Sequence, residues 1–368
     1  MKVAVINNWS SEFFEKYRLF RNKIHEGLEN DFPLEIGEYE KFFSDESPFH
    51  TDFSWEAFVV SEENETLAQG ILSWRKNSNT GNLGFLDLSQ NSEAANMLFE
   101  SISKRAKEFQ LEFIKSPVDL NFFIKYRMKI KGEGEAFYGE PLYPDYYQKL
   151  FQENEFEIIG TWDTYQVSVW SAVRDFFKKR ERVDSLKQSG KVQVRSVRLK
   201  EWENELKIIY DLFLKSYSEM PEFEPISFGQ FKFVYDDFKY IIQPWLSYIV
   251  EFNNLPVGFC INYVDPLPVL KKVRNKKLSQ IDKAILFFKL RCNFKTLLIS
   301  YVGKIPGPNG EEVKGVQIKV SKKLTPFSLL MNKVLVTYQN TDSPSRKSWN
   351  PSVLNPYSQY VLYGKKLK

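Results

Sequence analysis

Cysteine and histidine are nearly absent from this 368-residue chain: Cys260, Cys292, His25 and His50 are all it has. One cysteine falls in a predicted strand and the other at the end of a basic helix, so no disulfide framework is readable and a reducing compartment fits best. The two histidines have no third ligand cluster beside them, and no metal site is expected. No apolar run approaches the roughly 20 residues that span a bilayer. The opening Met1-Lys2-Val3-Ala4-Val5-Ile6-Asn7 breaks off too early for the apolar segment of a secretory signal. A cytoplasmic protein is therefore expected, and the glycosylation triplets at Asn8 and Asn64 are chance matches. No Gly-x-Ser-x-Gly elbow, Walker loop or dinucleotide fingerprint occurs between a strand and a helix, which leaves hydrolase, kinase and dehydrogenase activities without support. An excess of one charge is missing too: 51 basic against 47 acidic residues is a net +4, too little to argue for nucleic acid.

What the chain does have is apolar material, 43% hydrophobic with 16% aromatic residues, ample for two packed cores. It also says one thing twice. Ala57 to Trp74 and Ser247 to Tyr263 each read as an apolar strand, a polar turn and a second strand entered through a glycine, Gly70 or Gly258. Those glycines lie about half a chain apart, which predicts two domains of one architecture rather than a short-period solenoid. The boundary is expected in the charged stretch Ser171 to Gly190, giving domains 1–185 and 186–368.

Helical spacing over Glu12 to Leu28 predicts the leading helix of the first half. Asp31 to Phe53 reads as irregular. A third strand at Asn82 to Leu88, a helix over Glu93 to Gln110 and a strand at Glu112 to Pro117 form a crossover unit. Phe156 to Trp170 reads as two strands closing the first sheet. In the second half, Val192 to Val197 restarts a sheet, and helices are expected over Lys200 to Tyr217 and Ser227 to Ile242. After the repeated strand pair comes a basic helical insertion, 268–294, followed by the strand Thr296 to Val302, a glycine-studded loop, and a helix around Val316 to Met331. Val334 to Tyr338 and Gln359 to Tyr363 are expected to finish the second sheet.

This mixed α/β order resembles the GCN5-related N-acetyltransferase (GNAT) fold written twice. It is closest to tandem bacterial proteins of that superfamily. Local elements that carry the resemblance are Ser47-Pro48-Phe49-His50, Gly84-Phe85, Lys115-Ser116-Pro117, the turn Asn154-Glu155-Phe156, Pro221 to Pro225, and Leu255 to Phe259. The resemblance covers nearly the whole chain and implies acyl transfer from acetyl-CoA or a longer acyl-CoA to an amine. In that fold a bulge in the fourth strand exposes backbone groups to pantetheine, and the following loop and helix start present N–H donors to the diphosphate. The matching positions here are Tyr301, Val302, Gly303, Lys304, Gly307, Gly310, Lys314 and Gly315, in the strand and loop after Ser300. The compact Gln/Arg-x-x-Gly-x-Gly/Ala loop of the family is not present. The loop here is longer and degenerate, with Pro306 and Pro308 lacking N–H groups and Glu311 and Glu312 unsuited to an anion. Its first-half counterpart, Leu88 to Glu93, has no glycine, and no cofactor is expected there.

Removing the ammonium proton calls for a base and expelling a thiolate calls for an acid. By position, the resemblance implies Tyr357 or Tyr360 as the acid, with Tyr338 a weaker match, and Asn340 as the family's asparagine. Glu219, Glu222 and Glu224, in the loop where the family lines its acceptor site, are the candidates for the base, Glu219 first. The basic insertion is read as a solvated face or as a contact for an anionic carrier such as acyl carrier protein or tRNA, or for a membrane surface. Two other functions stay open: a Fem-like peptidyl transferase using aminoacyl-tRNA, and a silent binding protein that kept the fold.

Overall fold

Ser10 starts the first long helix by accepting the Phe13 amide on its hydroxyl, and Phe14, Tyr17 and Phe20 then fall on one buried face of α1 (Ser11–Ile24). The computed structural model in which this is seen describes every residue except 30–31, 169, 171–190, 221, 274–278, 311, 314–315, 342–345, 347–350 and 368, together with the side chains of 317, 318 and 322. The expected boundary at 185/186 lies outside the described residues. The chain divides into two compact units: Met1–Trp162 with Gln359–Lys368, and Asp163–Ser358.

In unit 1, β1 (Lys2–Ile6), β2 (Phe53–Glu62), β3 (Glu65–Arg75) and β4 (Thr80–Leu88) are antiparallel neighbours in that order. Glu63 and Asn64 turn the β2–β3 hairpin with both residues at positive φ, as a tight two-residue turn requires. Asn91 caps α3 (Ser92–Glu108), accepting the Ala94 amide at 3.0 Å. The chain then returns as β5 (Phe113–Ser116), parallel to β4. Leu72, Leu83, Leu98, Ile102 and Ile114 pack between α3 and the sheet. On the α1 side sits an aromatic cluster of Phe14, Tyr17, Tyr39, Phe43, Trp55 and Phe85. Tyr39 and Phe43 come from α2 (Ile36–Phe43), eight residues inside the stretch expected to be irregular; its buried aromatics hold a helix too short to announce itself by period. Beyond β5 come the two-residue strands β6 (Val118–Asp119) and β7 (Lys125–Tyr126), then β8 (Met128–Lys131), α4 (Tyr147–Glu153) and β9 (Glu157–Val167).

Unit 2 repeats the order. Its strands β10 (Val192–Ser196), β11 (Tyr248–Phe252), β12 (Leu255–Val264) and β13 (Thr296–Lys304) are antiparallel neighbours, and β14 (Lys333–Asn340) lies parallel to β13. Asn253 and Asn254 turn the second hairpin, again both at positive φ. The α-helices among the described residues include α5 (Trp202–Tyr217), α6 (Phe228–Tyr235), α7 (Leu267–Leu270), α8 (Gln280–Arg291) and α9 (Val316–Ser328). Arg195 ties β10 to its neighbours, reaching Glu205 at 2.8 Å and Glu251 at 2.7 Å.

Two strand assignments differ from expectation. Phe156 to Trp170 holds one described strand, β9, rather than two, and its residues from Asp163 onward belong to unit 2. The final strand, β15 (Leu354–Lys366), does not finish the second sheet with Gln359 to Tyr363. Those residues belong to unit 1, where Tyr363 pairs with Ser116 and Val361 with Met128. Val361 and Tyr363 are fully buried in the unit 1 core, so apolar packing directs the strand there.

Candidate functional site

The candidate site of unit 2 is shaped by one extra residue. Asn262 pairs with Ile299 and Ile261 with Tyr301, so Ser300 is inserted into β13 as a bulge. At the same point β13 leaves β14: their parallel ladder runs from Thr296–Lys333 to Ile299–Val336 and stops. The two strands therefore open into a V whose apex is Ile299, Ser300 and Thr337. Thr337 Oγ1 stands 3.4 Å from both Ile299 O and Ser300 Oγ. Past the bulge Val302 is 43% exposed.

The end of α5 lies against the strand after the bulge. Tyr217 donates its hydroxyl to Val302 O at 3.2 Å, and Phe213 packs on Tyr301 and on Phe259. Gly303 accommodates this approach, because a Cβ there would stand 2.4 Å from the Phe259 ring and 2.9 Å from Ser216 Oγ. An apolar cavity of about 30 Å³, lined by Trp202, Phe213, Phe231, Ile261 and Tyr301 among others, sits beside the bulge. The loop leaving α5 carries Glu222, which is buried; among the described residues its Oε2 has no hydrogen-bond partner. Phe223 packs on Tyr217 and so holds that loop beside β13.

The residues singled out by sequence do not all gather here. Tyr301, Val302 and Gly303 follow the bulge directly, and Asn340 ends β14 on the open side of the V. Glu219 is exposed, in the same loop as Glu222. Lys304 turns its ammonium to Val313 O at 3.4 Å. Gly310, at φ +77°, gives its N–H to Gly307 O at 2.8 Å, so these two glycines close a turn on themselves. Lys314 and Gly315 lie outside the described residues. Tyr357 receives a contact from Lys333 Nζ at 3.4 Å. Lys333 begins the β13–β14 ladder, roughly 10 Å from the V at strand rise. Tyr360 is fully buried in unit 1, donating to Glu140 Oε1 at 2.6 Å. Sequence reasoning missed Ser216, Tyr217 and Thr337, isolated polar residues on regular elements with no local pattern to mark them.

Unit 1 has the same device in a different state. Gln69 pairs with Asp87 and Ile71 with Gly84, placing a bulge at Phe85, whose φ is +43°. The β4–β5 ladder ends at Asn82–Lys115. Here the chain itself occupies the V. Phe85 N donates to Asp119 Oδ1 at 2.6 Å, Tyr17 donates to Phe85 O at 2.6 Å, and Asn82 Nδ2 donates to Leu120 O at 3.2 Å. A Cβ on Gly84 would lie 2.0 Å from Val118 O. Burial pushes the Asp119 carboxyl above its ordinary range, with Lys125 and the Phe85 amide opposing. Behind it, Asp87 accepts from Gln69 at 2.7 Å and contacts His25 at 3.0 Å. Among the described residues no group of three or more His, Cys, Asp or Glu could hold a metal ion, and no helix is long and apolar enough to cross a membrane.

Solved structures share this architecture. A tandem GNAT protein from the clavulanic acid biosynthesis pathway superposes with a TM-score of 0.51 at 9% identity, covering 100% of this chain and 99% of that one. The chain has a tandem GNAT fold. A conserved protein of unknown function from Enterococcus faecalis V583, a probable N-acyltransferase, gives 0.56 at 8% identity over 100% of this chain and 73% of its own. A GCN5-related N-acetyltransferase from Anabaena variabilis ATCC 29413 gives 0.52 at 11% identity with coverages of 100% and 73%. No family model matches this tandem GNAT-fold chain, and no curated protein matches it in sequence.

Proposed function

We propose that unit 2 transfers a short acyl group from acyl-CoA to an amine acceptor. The observation that carries this is the open V at Ser300, where a bulged strand turns its backbone edge away from its neighbour as far as Lys304. Pantetheine amides need such an edge. The acceptor nitrogen attacks the thioester carbonyl carbon, the C–S bond breaks, and the departing thiolate takes a proton. Glu222 is our choice of base, a buried carboxylate whose Oε2 has no hydrogen-bond partner among the described residues. Tyr338, which follows Thr337 on the open side of the V, replaces Tyr357 and Tyr360 as the acid. The small apolar cavity beside Tyr301 favours acetyl over long chains; it holds little more than one or two methyl-sized groups.

The diphosphate end contributes less. Pro306 and Pro308 have no N–H, while Gly310 N–H and the Lys304 ammonium are already engaged within the loop. Unit 1 is assigned no acyl-CoA, because Asp119 and Tyr17 take the backbone groups of Phe85 that such a ligand would use.

Thermal unfolding with and without acetyl-CoA tests the reading, since a ligand bound only by the folded state raises apparent stability by mass action. Acetyl-CoA is expected to raise the melting temperature of the wild type more than a long acyl-CoA does. Val302→Trp, at an exposed position on the bulged strand, removes the rise without changing the unliganded melting temperature. Glu222→Gln keeps the rise and slows amine acetylation by about a hundredfold. No rise for the wild type at millimolar ligand overturns the proposal.

A further inference from the structure

In unit 2, α8 carries a cluster of exposed apolar side chains. Ser279 and Asp282 start the helix with a reciprocal cap, Ser279 Oγ accepting the Asp282 amide and Asp282 Oδ2 accepting the Ser279 amide at 3.0 Å. The C-terminal turn is fixed to the unit: Gln243 Nε2 donates to Leu290 O, Arg291 Nη2 donates to Lys239 O, and Leu290 is buried. The rest stands away. Ile281, Ala284, Ile285 and Phe288, at i, i+3, i+4 and i+7, form one stripe on the face opposite Leu290. That stripe is not packed, with Ile281 73% and Phe288 67% exposed. Phe287, Phe294 and Tyr240 are exposed nearby, Tyr240 and Phe287 meeting edge to face. An apolar row on a soluble surface normally marks a contact.

Charge identifies the contact. From Lys271 to Lys295 the sequence carries nine basic residues and one acidic residue, a net +8. The whole chain is +4, so the remainder is net −4. On the helix itself Lys289 and Arg291 flank the apolar stripe, each about 80° around the axis from Ile281 and on opposite sides of it. Lys295, just past the helix, is exposed beside Phe294. A second copy of the chain would bring two such basic surfaces together, which like-charge repulsion opposes. An apolar stripe with phenylalanines, bordered by the exposed Lys289 and followed by the exposed Lys295, is the arrangement of a helix lying in an anionic lipid interface.

We propose that α8 docks unit 2 on an anionic membrane surface, with Ile281, Ile285 and Phe288 entering the acyl boundary and Lys289 and Lys295 meeting the headgroups. The proposal is independent of the acyl-CoA reading, since none of these residues lies at the V.

Co-sedimentation of the full chain with vesicles tests it. Binding is expected to equimolar phosphatidylglycerol and phosphatidylcholine, and not to phosphatidylcholine alone. Ile285→Glu with Phe288→Glu lowers the partition coefficient at least about tenfold by removing buried apolar carbon and adding charge. Lys289→Gln with Lys295→Gln lowers it by about tenfold and flattens its dependence on salt. All four positions are exposed, so both variants keep the wild-type circular dichroism and melting temperature. Three results overturn the proposal: no binding to anionic vesicles, equal binding to both compositions, or binding that survives both double substitutions. Binding of an acidic carrier protein or RNA that the glutamate pair abolishes, with vesicles left free, assigns the face to that macromolecule and likewise overturns it.

Discussion

Unit 1 and unit 2 contain the same bulged strand leaving a parallel neighbour, and they differ in what happens to the backbone it uncovers. At Phe85 both backbone groups are met from within: Asp119 takes the amide, Tyr17 takes the oxygen, and the segment from Pro117 to Arg127 fills the V. After Ser300, Tyr217 meets one carbonyl and Val302 is 43% exposed. A buried backbone group must find a partner, so a bulge in this fold needs either a ligand or a plug. Unit 1 has the plug. The two copies thus differ in that the chain itself meets the bulge of unit 1 on both backbone groups, whereas in unit 2 the described residues supply Tyr217 alone to Val302 O.

Gly84, beside the bulge of unit 1, and Gly303, three residues past the bulge of unit 2, give the largest effects by which that comparison is broken. Gly84→Ala places a Cβ against Val118 O and Asp119 Cα, backbone atoms that cannot step aside, and is expected to cost at least about 3 kcal/mol. Gly303→Ala meets the Phe259 ring, a side chain, and is expected to cost about 2 kcal/mol. Adding Phe259→Leu should recover most of the second loss and none of the first. Urea midpoints of the two single and two double variants decide it; equal losses at Gly84 and Gly303 would mean that unit 1's V is not filled by rigid chain.

Much of the architecture was legible because it rests on short-range signals. The strand pair at Ala57–Trp74 and its copy at Ser247–Tyr263 alternate cleanly and turn through Asn64 and Asn253–Asn254, residues that tolerate positive φ. The strand bearing Ser300 could be placed by its order in the chain. What escaped depends on distant partners. Nothing local in Gln359 to Tyr363 says that Val361 belongs with Leu83 and Leu98 rather than with unit 2. Tyr360 could look catalytic by position because its partner, Glu140, is 220 residues away. The plug is built from strands of two residues each, below any period, and Tyr217 and Thr337 acquire meaning only from the bulge they face.

The two first-helix tyrosines make the next test. Tyr17→Phe removes the buried donor to Phe85 O and should destabilise the protein by about 2 kcal/mol, measured by urea unfolding. Tyr217→Phe removes the donor to Val302 O at a partly solvated site and should cost under about 0.5 kcal/mol. Its effect is expected instead on the dissociation constant for acetyl-CoA, which Tyr17→Phe leaves alone. If Tyr217→Phe proved the more destabilising, the contrast between a sealed and an open edge would be lost.

The pH-dependent effect is the most specific to the plug. Burial raises the Asp119 pKa above its unfolded value, and Lys125 and the Phe85 amide offset this only in part. A carboxyl held this way binds its proton more tightly folded than unfolded. Its contribution to stability is therefore complete below the unfolded pKa and is lost as pH rises through the folded pKa. Asp119→Asn keeps an oxygen for the Phe85 amide and has no proton to lose, so its stability should not fall over that interval. The variant should match or trail the wild type in acid and overtake it towards neutral pH, by about 1.4 kcal/mol for every tenfold by which folding tightens the hold on that proton. Urea midpoints of both proteins across the acidic range measure the difference. Parallel profiles would mean that the Asp119 carboxylate is solvated, and hence that water, and with it a ligand, has access to the V of unit 1.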